Sequence, residues 1–190
     1  IEQGSEPLQP ATYGSGWITS NGKKTVYFSG SNVIPLAHTG LTLQSVSVYT
    51  VSENFDQDFG AYQWAWGLSA VVTFGNLQEY TGLGVGWNRY YYSTQTPTYA
   101  SSTEGEQQIR TFHGGAGDFV VMYQNNAAGT GTGTTVTGPM TGGDGVSIGA
   151  YTTSLFQWKG KFSEFIVFDT DTSSDRAAIT TNLNDHWGSY

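Results

Sequence analysis

The sequence predicts an all-β fold of the sandwich type, closed by one short helix at its end. Three observations carry this. Short runs rich in Val, Ile, Thr, Tyr and Phe alternate with clusters of Gly, Asn, Asp and Ser, at the spacing of a sandwich. Helical periodicity appears only after Asp169. No run of apolar residues is long enough to span a bilayer as a helix.

A chain of 190 residues suits one domain with at most an extension, and buries a core without staples. There are no cysteines, so disulfides and thiolate metal sites are excluded while the compartment stays open. Seven Lys and Arg stand against 15 Asp and Glu, a formal net charge of −8. A binder of nucleic acid needs a basic surface, and so does a protein drawn to anionic lipid. No nucleic-acid partner and no membrane insertion are expected. The chain opens on Ile1 rather than Met, the mark of a processed protein or of a piece of a longer one.

Residues 1–16 are rich in Gly, Ser, Pro and Gln and read as an N-terminal arm or linker, with the β domain over 17–190. The first strand, over 23–30, follows an Asn21-Gly22 turn signal. In 41–51, Val46 and Val48 alternate with Ser45, Ser47 and Tyr49. In 61–75, Tyr62, Trp64, Trp66 and Leu68 share one face, and in 82–93 Leu83, Val85 and Trp87 oppose Gly84 and Gly86. Runs at 107–114, 117–126, 144–151 and 162–168 complete the set. The Gly/Thr-rich stretch 127–145 reads as a turn with one extra short strand near 134–137. The helix then begins with Thr172 or Ser173 as cap, and Asp171 and Asp175 favour its positive end. Ala178, Ile179, Leu183 and Trp187 supply a packing stripe, and Gly188 a stop. So short a helix is marginal alone and must dock on the sandwich.

Three segments in this order resemble one family. GKKTVYFSGSN (22–32) is similar to its first strand, a Gly-Lys, an apolar strand, then Phe-x-Gly-Ser. DGVSIGAYTTSLFQWKGKFSEFIVFD (144–169) is similar to its Ile-Gly strand, loop, and aromatic-x-Gly-Lys-apolar-x-Glu strand. The segment 169–190 resembles its closing helix. The family is the concanavalin A-like (laminin-G-like) lectin and glucanase domain, in the form found in phage, virion and bacterial surface proteins. Where that family ends a strand in an Asn-Gly turn, this chain has Asn125-Asn126-Ala127. The resemblance implies a jelly-roll β-sandwich with one short C-terminal helix. It leaves function open, because lectins, hydrolases and structural modules share the sandwich.

Glycoside hydrolysis needs two carboxylates flanking the scissile bond. The glucanases of that family carry them in an alternating Glu-x-Asp-x(x)-Glu run, which is missing here. Asp169 and Asp171 sit at the strand-to-helix turn. Glu164 stands alone within an apolar run, as a structural carboxylate paired with Arg89, Arg110, Lys161 or His186 or accepting backbone N–H groups. No catalytic residue is assigned.

Trp87, Asn88, Arg89, Tyr90, Tyr91 and Tyr92 are consecutive. Strand side chains alternate, so three neighbouring tyrosines cannot all point inward. Aromatic faces stack on sugar rings, while Asn and Arg bond to hydroxyls. Trp87, Asn88, Arg89, Tyr90 and Tyr92 are therefore the candidate ligand-binding residues. The competing reading makes Trp87 and Tyr91 core and the others a subunit contact, where Tyr, Trp and Arg are also enriched. Trp64 and Trp66 read as core.

Ca²⁺ is the one cofactor the resemblance suggests, with Asp56 and Asp58 as candidate metal ligands. His38, His113 and His186 lack zinc spacing, and His113 reads as a turn residue. The glycines at 129–133 precede no helix and make no phosphate loop.

The expected function is a non-enzymatic carbohydrate-recognition or adhesion module, displayed extracellularly or on a virion surface. Its expected partners are a glycan and further copies of itself or a larger assembly. A purely structural virion or filament subunit, such as a tail or fibre component, is the alternative. A glycan hydrolase or lyase comes third.

Overall fold

A computed structural model describes residues 18–30, 34–37, 42–43, 45–55, 61–66, 77–81, 88–91, 98–99, 105–115, 121–128, 140–141, 145–149 and 158–190. The arm at 1–16, Trp17 and the expected strand near 134–137 lie outside the described residues.

In chain order the strands are β1 (Ile18–Ser20), β2 (Lys23–Ser29), β3 (Ile34–Ala37), β4 (Thr42–Leu43), β5 (Ser45–Asn54), β6 (Ala61–Trp66), β7 (Leu77–Thr81) and β8 (Asn88–Tyr91). They continue with β9 (Thr98–Tyr99), β10 (Gln107–Gly115), β11 (Val121–Gln124), β12 (Ala127–Ala128), β13 (Met140–Thr141), β14 (Gly145–Ile148) and β15 (Lys159–Phe168). The helix α1 spans Arg176–Trp187. One sheet runs β1-β2-β15-β5-β10-β11-β12 and the other β3-β14-β6-β7-β8-β9, with β4 and β13 paired separately. Every pairing is antiparallel. This is the jelly-roll sandwich that the sequence predicts.

The Asn21-Gly22 turn forms as expected. Both residues have positive φ, 49° and 77°, and Ser20 pairs with Lys23, so two residues close the hairpin. The Asn125-Asn126 turn repeats this geometry with φ of 47° and 67°, joining Gln124 to Ala127. Asn serves there because its short polar side chain tolerates the left-handed region.

The strand β5 departs from simple alternation in burial. From Val46 to Asn54 every residue is buried, the polar Ser47, Thr50 and Ser52 included. The strand lies between β15 and β10 and is covered on both faces. On one face Tyr49, Val51 and Ile109 meet Leu183 and Trp187 of the helix, with Ile166, Phe168 and Ile179 at the margin. Burying Leu183 alone contributes about 1.5–3 kcal/mol. In β6, a register break between Tyr62 and Trp64 interrupts the single-face alternation expected of that strand.

The helix start differs from expectation. Asp175 is the N-cap and makes no side-chain capping bond. Thr172 and Ser173 lie before it and serve other ends. The Thr172 hydroxyl meets the Tyr49 hydroxyl at 2.8 Å, and its N–H donates to the Ser47 hydroxyl at 2.9 Å. Asp171 takes the N–H and the hydroxyl of Ser173, at 2.8 and 3.1 Å. Ala178 is exposed and lies off the packing stripe. Gly188 ends the helix as expected, at φ 64° and ψ 47°, donating its N–H to the Asn184 carbonyl.

Candidate functional site

The aromatic run is placed in part. Asn88, Arg89 and Tyr90 lie on β8, one strand in from the β9 edge of the second sheet. Arg89 stands between Tyr80 of β7 and Thr98 of β9, and Asn88 between Thr81 and Tyr99. Tyr90 pairs with Glu79 and Tyr91 with Gln78. These residues belong to a strand rather than a loop, and Tyr80 and Tyr99 add aromatic positions beside them. Trp87 and Tyr92 lie outside the described residues, as do Asp56 and Asp58. Among the described residues no group of three or more His, Asp or Glu is placed to hold a metal.

A second surface was not anticipated. At the C-terminal end of α1 a polar groove of about 590 Å³ opens between several turns. Its lining includes Glu53, Glu106, Gln107, Asn125, Lys161 and Tyr190. The Lys161 ammonium donates to Glu53 at 2.8 Å and stands 5.0 Å from the centre of the Phe55 ring. Gln107 is fixed at both ends of its amide. Its nitrogen donates to Ser20 and Ser163 at 3.1 and 2.9 Å, and its oxygen accepts from Asn21 and Ser189 at 3.4 Å. The Asn21 amide also donates to the carbonyls of Trp187 and Gly188, so the first hairpin holds the end of the helix. Tyr190 is 53% exposed, with its hydroxyl accepting from Asn126 at 3.0 Å.

Beneath the helix start lies a buried polar cluster. His113, expected in a turn, instead sits mid-strand in β10, between Ser47 and Val121. The reason is that β10 runs on through Gly114 and Gly115, which pair with Val46 and Ser45. Its Nδ1 meets the Ser47 hydroxyl at 2.8 Å and lies 3.9 Å from an Asp171 oxygen. Burial pushes its pKa down to about 4, against a smaller upward pull from Asp171, with Arg176 adding to the fall. Among the described residues its Nε2 is a buried nitrogen with no partner. Ser47 and Asp171 both face Nδ1, whereas a Ser-His-Asp relay needs the hydroxyl and the carboxylate on opposite ring nitrogens.

Glu164 is held by the helix, and Arg89, one of the cations expected beside it, has its side chain outside the described residues. The register shift between Phe162 and Glu164 sets it opposite Val51, toward the helix, where the Trp187 indole N–H donates to it at 2.5 Å. Lys161 is engaged by Glu53, and the Arg110 guanidinium by Ser52 and Gln108.

No protein-family model and no curated protein matches the chain. Solved structures do share its architecture. A native heptameric SAP-like pentraxin from Limulus polyphemus gives a TM-score of 0.65 at 13% identity, over 81% of this chain and 79% of its own. The CBM40 of Ruminococcus gnavus IT-sialidase, bound to α2,3-sialyllactose, gives 0.65 at 12% identity, over 87% of this chain and 100% of its own. A Trypanosoma rangeli sialidase in complex with 2,3-difluorosialic acid gives 0.60 at 15% identity, over 86% of this chain but 27% of the sialidase. The chain thus spans about a quarter of the sialidase. At such identities the likeness establishes the fold alone, a concanavalin A-like jelly-roll β-sandwich.

Proposed function

We propose that this chain is a non-enzymatic carbohydrate-recognition and adhesion module, displayed extracellularly or on a virion surface. The observation that carries it is the coverage of the sandwich. The chain matches a sialyllactose-bound module along that module's full length, and only a minor part of a sialidase. The extracellular placement draws on the same likeness. Low charge and an abundance of Gly and Tyr suit an exposed adhesive surface.

Trp87, Asn88, Arg89, Tyr90 and Tyr92 form the binding surface in this reading. Ring faces stack on the sugar, and the amide and guanidinium bond its hydroxyls. Ca²⁺ is assigned to Asp56 and Asp58, whose hard oxygen donors suit it. Self-association, with the 1–16 arm making contacts between copies, would raise avidity for a weakly bound glycan.

A broad glycan array, run with Ca²⁺ and again with EDTA, tests the function. Specific binding is the expected result, and its loss in EDTA supports the Asp56 and Asp58 assignment. Trp87→Ala and Tyr90→Ala should abolish binding with the thermal midpoint nearly unchanged. A sharp fall in the midpoint would show that those residues are core. No binding in either buffer overturns the recognition reading in favour of a structural subunit. Release of reducing ends from polysaccharide overturns the non-enzymatic one.

A further inference from the structure

We propose that the polar groove at the C-terminal end of α1 is a separate saccharide subsite, taking an uncharged, polyhydroxylated sugar against the ring of Tyr190. Its ligand class rests on the carbohydrate reading above, while its location is independent of the Trp87–Tyr92 surface. The volume of about 590 Å³ falls within the range of small-molecule sites, roughly 300–1,000 Å³.

The groove combines an available aromatic face with fixed polar groups. The Tyr190 N–H donates to the Asn184 side chain at 2.9 Å and its hydroxyl accepts from Asn126. Held at both ends, the ring stays half-exposed, and Tyr190 is the one large exposed hydrophobic side chain among the described residues. Asn125 spends its side-chain oxygen on the Ile109 N–H at 2.9 Å, so its amide nitrogen is the end left to donate. Glu106 is exposed and makes no ion pair or side-chain hydrogen bond among the described residues, so both of its oxygens can accept. A carboxylate acceptor, an amide donor and an aromatic face match vicinal hydroxyls and the C–H face of a pyranose.

The frame is also held in place. Asn21, Gly105, Asn125 and Gly188, all at positive φ, shape the turns around the groove. Gln107 and Asn21 bond across those turns. Of the groups that bind, Glu106 alone is unanchored and must be ordered by the sugar.

Charge selects the ligand. Glu53 and Lys161 neutralise one another, and the Glu106 carboxylate, unpaired among the described residues, makes the groove negative on a chain of net −8. Sialylated or sulfated sugars are repelled, and uncharged hexose units are not.

The test is an NMR titration of the full chain with maltotetraose, cellotetraose and laminaritetraose. Separate titrations use 3′-sialyllactose and CaCl₂ alone. At least one uncharged tetrasaccharide should shift the Asn125 side-chain amide and the Tyr190 ring, with a dissociation constant of about 1 mM. Glu106→Ala and Tyr190→Ala should each weaken it at least about tenfold, a loss of about 1.4 kcal/mol. Failure of all three tetrasaccharides to move these resonances overturns the subsite. So does tighter binding of 3′-sialyllactose, or the same shifts with CaCl₂ alone. Specific array binding by the wild type, with no tetrasaccharide shift at Asn125 or Tyr190, overturns the groove and preserves the carbohydrate function.

Discussion

The indole N–H of Trp187 donates to the carboxylate of Glu164 across 2.5 Å, tying the last turn of α1 to the middle of β15. The same indole is packed on Tyr49, Val51 and Ile109. Trp187→Phe keeps much of the apolar ring and removes the donor. The half-buried carboxylate then loses its partner, at an expected cost of about 1–3 kcal/mol in urea unfolding. Glu164→Gln keeps an acceptor and should cost less. A double-mutant cycle should return a coupling of about 1 kcal/mol. A coupling near zero would mean that packing alone holds the helix.

Gly160→Ala should be among the most damaging single substitutions. A Cβ at Gly160 would collide with the Glu53 carbonyl and with the fully buried ring of Trp158. Neither neighbour yields readily. Trp158 is anchored by its own N–H to Asn54 at 2.8 Å, and Glu53 is part of the ladder between β5 and β15. The expected loss is at least about 2 kcal/mol, from overpacking and a distorted ladder. Calorimetry showing a shift of less than a degree would mean that the backbone relaxes freely there.

Asn126→Gly weighs two opposed effects. Glycine relieves a left-handed residue at φ 67°, worth about 1 kcal/mol or slightly more. The substitution also removes the bond from the Arg176 guanidinium to the Asn126 oxygen at 2.6 Å, and the one to Tyr190. A bond to a charged group is worth about 1.5–3 kcal/mol, so net destabilisation is expected. Arg176 should keep its place 3.8 Å from the centre of the Tyr123 ring. A more stable variant would show that the Arg176 bond contributes little.

Local signals in the sequence revealed most of the sandwich and little of its polar interior. The Asn21-Gly22 hairpin, the Gly188 stop and the Leu183–Trp187 stripe depend on neighbours within a turn or two, and each formed as read. The aromatic-x-Gly-Lys pattern around Trp158 was visible, and its cause, the ring lying over Gly160, was not. The strand setting of His113 and the indole partner of Glu164 were illegible because their partners come from afar. Ser47 and Trp187 reach them only once β5, β10 and α1 are assembled. The groove at Tyr190 was illegible for the same reason, since its lining comes from segments remote in sequence. The Thr172 misreading has another cause: a hydroxyl suited to capping also suits a buried Tyr49 hydroxyl.

His113 should make the fold sensitive to mild acid. Ser47, Tyr49, Tyr123, Asp171 and Arg176 surround it from β5, β11, the segment leading into α1 and the first turn of α1 itself. Its folded pKa of about 4 lies below the ordinary 6.5. Between these values the unfolded chain binds the extra proton and the folded chain does not. Stability is therefore full above pH about 6.5 and falls as the pH drops, by about 1.4 kcal/mol per unit until about pH 4. His113→Gln removes this titration. Between pH 6.5 and 5 the wild type should lose about 2 kcal/mol more than the variant, as read by urea unfolding at each pH. Parallel losses in the two proteins would show that other groups dominate the acid response and that His113 is not held neutral.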